Sequence, residues 1–425
     1  MKILIVGGGG REHALAWKLS QSPKATIVYG APGNAGIEKI GKCVSIKADD
    51  IKTLADFAQR ENIDLTLVGP ELPLTLGIVD EFETRNLKIF GPSQAASMIE
   101  GSKAFAKEFM RKYHIPTASF QIFEQKDKAL NFISSTDFPV VIKADGLAAG
   151  KGSIIAQDFS SAEQAINKIL VEKVFGEAGS RVVVEDFLEG EEVTIMAFTD
   201  GNTIVPMVSS QDYKRAYTDD RGPNTGGMGS YAPTLFINER MMKKIQEEIL
   251  EPTVAGLENE GRIFKGILYA GLIITEVGPK VMEYNCRFGD PETQVVLPLL
   301  KDDLLEIFLS VLEEELDLVD INWKDEFCVC VVLASAGYPG KYDKGIEIFG
   351  LDKAEEVTVF HAGTKTTNGK VVTNGGRVIG VTAVDKNTEK TISKAYSAIE
   401  KIRFKGMQFR KDIGRKATKV ERKYF

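Results

Sequence analysis

Residues 2–6, KILIV, are apolar from Ile3 onward with no polar alternation, and four glycines follow at once. A strand that is apolar on both faces has to be covered on both sides, which helices do in parallel sheets. The pattern predicts a buried parallel strand over 2–6, a turn over 7–10 and a helix over 11–20, with Ala14, Leu15 and Leu19 on one face. The strand-then-turn signal returns in TIVYG, DLTLVGP and LKIFGP, with helical segments between them. Residues 1–102 therefore read as a doubly wound α/β unit whose ligand crevice lies at the carboxyl ends of the strands.

From Lys103 the texture changes. A helix over 103–112 leads into strands in FPVVIKAD, GSIIAQ, RVVVEDFL and EEVTIMAF, an α+β texture with Gly-dense loops at 146–152 and 222–229. A helical stretch at 237–257 precedes strands near 267–275 and 280–285, and a helix follows Pro298. FCVCVVLA opens a strand-rich third section containing VTVFHAG and GRVIGVTAV, closed by a helix and a basic tail. The domains expected are 1–102, 103–325 and 326–425, because 425 residues exceed one compact core.

A net charge of -7 argues against a nucleic-acid binder, while leaving room for anionic small molecules held by a few Lys and Arg. The four cysteines are scattered, and Cys328 and Cys330 would share one strand face as a buried structural pair. The first residues show no signal-peptide pattern and no stretch reaches transmembrane length, so a reduced, cytoplasmic setting is expected.

The first glycine run is a poor dinucleotide fingerprint. Counted from Gly7, the third glycine position is Glu12; counted from Gly8, it is His13. Glycines opening a helix still offer N–H groups to an anion, and Arg11 adds charge, so a phosphate site and a ligand-free tight turn both fit. His13 reads equally as a substrate contact or a packed imidazole. VVIKADGLAAGKG misses the P-loop spacing, with Gly146 and Gly150 one residue too close and Gly152 where Ser or Thr would serve magnesium. It offers instead a strand lysine, Lys143, before a Gly/Ala flap that could close over phosphates.

RVVVEDFLEGEEVTI places Glu185 at a strand end, then Leu188, then Glu191 and Glu192 opening the next strand. That is a nucleotide hinge with a ribose carboxylate, or a solvated acidic turn. KVMEYNCRFGDPETQ sets Glu283, Asn285 and Arg287 at alternate positions on one strand face. Carboxylate and amide oxygens suit hard Mg²⁺, and the guanidinium suits a carboxylate or phosphate. Residues 209–233 read as a long loop whose aromatics and prolines favour function over disorder.

In this order, the strand lysine, the glycine flap, the Glu185–Glu192 hinge and Glu–x–Asn–x–Arg resemble the ATP-grasp superfamily. Within it the chain is similar to the phosphoribosylamine–glycine ligases along its whole length, through GGGGREHA, GPELPL, IKADGLAAGKG, QDYKR, GPNTGGMG, RFGDPETQ, ASAGYPG, HAGT, GGRV and FRKDIG. The resemblance implies an N-terminal substrate domain, an ATP-grasp domain with a mobile lid at about 115–190, and a C-terminal domain. It implies ATP as co-substrate and Mg²⁺ or Mn²⁺ held by Glu283 and Asn285. Lys103 and Lys143 would contact the phosphates with Gly146, Gly150, Lys151 and Gly152 in the flap, Glu185 and Leu188 the adenine, and Glu192 the ribose. Gly9, Arg11, Glu12, Glu71, Asp212, Gly226, Gly227 and Arg287 would serve glycine and 5-phosphoribosylamine, with Lys143, Asp212 and Arg287 at the chemical step.

The implied reaction phosphorylates the glycine carboxylate, after which the amine of phosphoribosylamine displaces phosphate. No nucleic-acid or membrane partner is implied, and a monomer is favoured. One departure stands out: many superfamily members carry an acidic metal ligand on the strand before Glu–x–Asn, where LYAGLIIT stays apolar until Glu276. Another ATP-grasp ligase, a nicotinamide-dependent dehydrogenase and a non-catalytic nucleotide sensor are the competing readings.

Overall fold

The computed structural model describes residues 1–148 and 152–418. Its first sheet is parallel, with β1 (Lys2–Gly7), β2 (Ile27–Pro32), β3 (Lys42–Cys43), β4 (Leu65–Val68) and β5 (Ile89–Phe90) in the order β3-β2-β1-β4-β5. Ile3 to Val6 are fully buried, as a strand covered on both faces demands. The strand order reverses between β1 and β4. The crevice therefore opens where Gly7–Gly10 and Gly69–Glu71 leave those strands. The helix expected over 11–20 spans Gly10–Leu19.

The middle of the chain builds two antiparallel sheets. In the first, β6 (Phe120–Phe123), β7 (Val140–Ala144), β8 (Ser153–Ala156) and β9 (Val182–Asp186) run in the order β6-β9-β7-β8. Helices Lys126–Ile133 and Phe159–Ile166 cover it, and Ala129, Ile142, Ala162 and Val184 give it a small core of its own. In the second sheet, β10 (Glu191–Thr199) pairs with β11 (Ile204–Pro206) on one side. The 237–257 stretch forms helices Glu239–Ile245 and Glu251–Asn259 joined by a wider turn, Gln246–Leu250.

Residues 209–233 are not one loop. They form β12 (Gln211–Asp212), β13 (Arg215–Tyr217), β14 (Arg221–Asn224) and β15 (Gly229–Ala232). Strands β13 and β14 make a hairpin, while β15 pairs with β12 and, on its other side, with β18 (Phe327–Ala334), so its partner lies far along the chain. Strands of two to four residues are too short to carry an alternation that can be read, which is why sequence alone shows a loop.

Strands β16 (Gly266–Thr275) and β17 (Gly278–Asn285) complete the second middle sheet in the order β11-β10-β16-β17. The last part adds β19 (Thr358–His361), the hairpin β20 (Thr364–Thr367) and β21 (Lys370–Thr373), and β22 (Arg377–Asp385). Its five-stranded sheet has the order β12-β15-β18-β22-β19, so two strands from the middle of the chain complete it. Cys328 and Cys330 are buried and free, on the face that packs with Ala232 and Phe360. One continuous apolar core takes Leu4 and Val6 from the first sheet, Phe109 from helix Lys103–Lys112, and Ile195, Leu268 and Val281 from the second middle sheet. The site lies where these parts meet. Among the described residues no helix is long and apolar enough to cross a membrane.

Candidate active site

Lys103 starts helix Lys103–Lys112, whose cap Ser102 accepts from Phe105 N–H and donates to Asp145 at 2.8 Å. Asp145 also accepts from Ala104 N–H and binds Arg181, so it ties the helix start to the end of β7. That brings Lys103 Nζ to the Gly146 carbonyl at 3.0 Å. The helix N-terminus thus opens onto the flap, where positive dipole and lysine act on the same space. Gly152 accepts from Ala144 N–H at 2.8 Å; Gly150 and Lys151 lie outside the described residues.

Lys143, on β7, reaches Glu185 at 2.9 and 3.0 Å and the Met282 carbonyl at 3.0 Å. Met282 sits at an irregularity where β17 slips one residue against β16, which frees that carbonyl from the ladder. Lys107, one turn after Lys103, binds the same Glu185 at 2.8 Å and donates to Thr117. Burial brings the Lys107 ammonium down to about 8, with Glu185 supporting the charge and Lys143 opposing it. One carboxylate therefore serves two buried lysines. Leu188 is half-buried in the connection to β10, where Glu192 is exposed and pairs with Lys214 at 3.1 Å.

Glu283 and Asn285 lie on one face of β17, with buried Tyr284 on the other; Arg287 follows the strand end. Burial pushes the Glu283 carboxyl up, yet Lys214, Lys103, Lys143 and Arg287 together hold it below its ordinary value. Four cations from separate stretches of sequence surround one carboxylate. Arg287 is fully engaged. Its Nε binds Glu71 at 3.2 Å, its Nη2 binds Glu100 and Asn285 Oδ1 at 3.1 Å each, and its Nη1 donates to Phe288 O.

Arg287 donates to four protein partners here, and through one of them it orients Asn285. Against burial, Arg287 and Arg11 take the Glu71 carboxyl down to about 2. Burial raises Glu100, which accepts from Cys286 N–H at 2.7 Å.

Arg11 donates to Glu12 at 2.7 Å and to Phe288 O at 3.1 Å. Glu12 is buried and also accepts from Gly9 N–H, bracing the glycine turn from inside. A Cβ on Gly69 would come within 2.0 Å of Glu12 Oε1, so the two strand-end loops close over that carboxylate. Asp212 lies on β12, two residues before Lys214. Burial pushes its carboxyl up to about 7, with Lys214 pulling down and Glu292, Glu192 and Glu283 pushing further up. Gly226 N–H donates to Tyr338 OH at 3.0 Å, and Gly227 holds φ +109 with Pro291 where a Cβ would stand.

His13 is the packed imidazole of its two readings. Its Nδ1 accepts from His361 N–H at 2.7 Å, its ring meets Phe360 edge-on, and burial first, then His361 and Lys39, take it down to about 3. Sequence reading missed Lys107, Glu100, Lys214 and Arg377. Lys214 stands inside the quoted QDYKR and Arg377 inside GGRV, where it binds Asp290 at 3.0 Å and donates to the Asp290 carbonyl at 2.7 Å. Lys107 carried only the signal of helical spacing from Lys103, and Glu100 none. Among the described residues no group of three His, Cys, Asp or Glu is placed to hold a metal ion.

The family descriptions "Phosphoribosylglycinamide synthetase" N domain, ATP-grasp (A) domain and C domain match residues 1–100, 101–293 and 328–416. A phosphoribosylamine–glycine ligase of Caldanaerobacter subterraneus subsp. tengcongensis is 52% identical over 413 residues, covering 97% of this chain and 99% of that one. The crystal structure of a phosphoribosylamine–glycine ligase from Thermotoga maritima superposes with TM-score 0.84 at 35% identity, covering 97% of this chain and all (100%) of that one. The biotin carboxylase domain of Hydrogenobacter thermophilus 2-oxoglutarate carboxylase shares the fold, with TM-score 0.73 at 16% identity over 96% of this chain and 91% of that one. On this evidence the chain belongs to the phosphoribosylglycinamide synthetase family.

Proposed function

We propose that this chain joins glycine to 5-phosphoribosylamine in purine synthesis, consuming ATP and releasing ADP and phosphate with glycinamide ribonucleotide. The observation that carries the reading is that Lys103 reaches the flap at the Gly146 carbonyl, at 3.0 Å, while Lys143 reaches the Met282 carbonyl, next to Glu283, at 3.0 Å. A carboxylate and a polyanionic nucleotide repel each other, and lysines gathered at that place in advance lower the barrier.

In this reading Lys103 and Lys143 hold the ATP phosphates beneath the Gly146–Gly152 flap, Glu185 and Leu188 face the adenine, and Glu192 holds the ribose. Lys107 already neutralises Glu185, so Lys143 can turn toward phosphate without stranding a buried charge. Glu283 and Asn285 fit a divalent cation, Mg²⁺ or Mn²⁺: both offer hard oxygen donors on one strand face, and Asn285 Oδ1 keeps a second lone pair beside Arg287. When bound, that cation neutralises phosphate charge. The glycine carboxylate attacks the terminal phosphorus as ADP leaves, giving glycyl phosphate. The amine nitrogen then attacks the carbonyl carbon and phosphate departs. Asp212, Glu71, Gly9, Arg11 and the Gly226–Gly227 turn shape the pocket for these two amines, with Glu12 and Arg287 positioning them.

Four free cysteines suit a reducing cytoplasm. The test is phosphate release from ATP with glycine and phosphoribosylamine present and each omitted in turn, with the product mass determined. Release that requires both, with glycinamide ribonucleotide formed, is expected. Release that persists without glycine, or another product, overturns the reading.

A further inference from the structure

FRKDIG, near the end of the described chain, has no part in the reading above, yet its arginine is among the largest fully buried side chains. Arg410 is 0% exposed and no apolar partner explains its charge. Its Nε and Nη2 grip Asp412 at 2.9 and 2.6 Å, and its Nη1 reaches Asp220 at 2.8 Å and the Arg215 carbonyl at 3.1 Å. The guanidinium also lies 4.7 Å from the centre of the Tyr213 ring. Asp412 and Asp220 both titrate below their ordinary values; burial opposes this, and the hydrogen bonds from Arg410 are the largest contribution favouring it.

Arg215 and Asp220 belong to the β13–β14 hairpin, whose tip is strained. Asp219 and Asp220 both adopt left-handed backbone, at φ 60 and 50, which non-glycine residues enter at a cost. The terminal segment grips both: Asp412 accepts from Asp219 N–H at 3.1 Å while Arg410 takes the Asp220 carboxylate. Lys411 N–H donates to Thr218 at 3.2 Å, Gly414 N–H to Tyr213 OH at 3.0 Å, and Lys416 binds Asp220 at 3.3 Å. The hairpin base is equally fixed, since Thr225 N–H donates to Lys214 O at 2.7 Å and Met228 N–H to Tyr213 O at 2.8 Å. Asp212 and Lys214 lie immediately before the hairpin, Gly226 and Gly227 immediately after it.

We propose that Arg410 is a positioning residue for the amine-substrate pocket: the 410–416 segment sets the hairpin, and the hairpin sets Asp212 on the strand that leads into it. The inference rests on the assignment of Asp212 to the amine substrates. This linkage makes no contact with Lys103, Lys143 or the flap, and its one contact with the nucleotide side is the half-exposed pair of Lys214 with Glu192, which is worth little, so the ATP requirement should barely move.

The test uses the full-length enzyme and three variants, Arg410→Lys, Asp220→Asn and the pair together, with Asp212→Asn as reference. Arg410→Lys keeps the charge and loses the fork, and should raise the KM of the amine substrate that Asp212→Asn also raises by about tenfold. Asp220 is half-exposed, so its Asn variant should fold and raise the same KM by about threefold. The double variant should be no worse than Arg410→Lys alone, because both remove one link. The Kd for ATP without amine substrates should move less than about twofold in all three. A parallel loss of ATP affinity, or an unchanged amine KM in Asp220→Asn, overturns the proposal. If Asp212→Asn raises neither amine KM, the pocket assignment falls and takes this inference with it; if only Arg410→Lys and Asp220→Asn are silent, this inference falls alone.

Discussion

The nucleotide wall and the amine wall both bury charge, with opposite surpluses. At the first, two lysines, Lys107 and Lys143, share the single carboxylate of Glu185. At the second, two carboxylates, Glu71 and Glu100, share the single guanidinium of Arg287. A cation surplus in a dry site is an invitation to phosphate, whereas a carboxylate surplus suits an ammonium or amine. The geometry of the cations differs to match. Lysine is a point charge on a flexible stem and can move from Glu185 to a ligand; the arginine fork is fixed on four protein partners and acts as a brace.

The largest expected effect breaks the brace. Arg287→Ala leaves Glu100 buried without its counter-charge and Glu71 with Arg11 alone, and should cost about 3–5 kcal/mol of stability, read by urea unfolding. A loss below about 1 kcal/mol would show that the two carboxylates do not depend on it, and the contrast between the walls would fail. Next comes the mobile cation. Lys143→Met should lower turnover about 100- to 1000-fold while the thermal transition stays near that of the parent chain, because Lys107 still holds Glu185. Near-normal turnover in a folded Lys143→Met protein breaks the phosphate assignment.

Between the walls, Asn285→Ala should raise the Mg²⁺ concentration needed for half-maximal rate about tenfold. Since Arg287 holds Asn285 Oδ1, the milder Arg287→Lys should shift the same metal curve in the same direction. A metal curve unmoved by Asn285→Ala would remove it from the cation site. The smallest effect is with pH. Glu71 takes up its proton near pH 2 when folded and near about 4.3 when unfolded. The unfolded chain therefore protonates first as pH falls, and this contribution, complete above about pH 5, fades toward pH 2. Glu71→Gln should flatten the stability profile across that window; an unchanged profile would mean the pair with Arg287 contributes nothing.

What the sequence made legible follows the same division. Lys143, Glu283 and Asn285 were readable because strand alternation and a glycine-dense loop are local signals, and β7 and β17 lie where those signals put them, although β17 ends before Arg287. The first sheet was readable for the same reason. The sharing of charges was not. Glu185 meets Lys107, and Arg287 meets Glu71 and Glu100, only after the parts pack, and no spacing encodes a contact across 186 residues such as Cys286 with Glu100. The 209–233 stretch failed in reading because its strands are too short to show a pattern, and β15 is placed by β18, far along the chain. His13, ambiguous in sequence, is decided by His361 and Phe360 from the opposite end of the chain.

The division into two walls is tested most directly by measuring rate against ATP, glycine and phosphoribosylamine for Lys103→Met and Asp212→Asn side by side. Lys103 touches the flap carbonyl and Asp212 faces the hairpin side, so each should move one set of curves. The account predicts that Lys103→Met raises the ATP requirement by about tenfold and leaves the amine substrates within about twofold, and that Asp212→Asn does the reverse. Equal shifts of all three curves in either variant, or the two patterns exchanged, would contradict it.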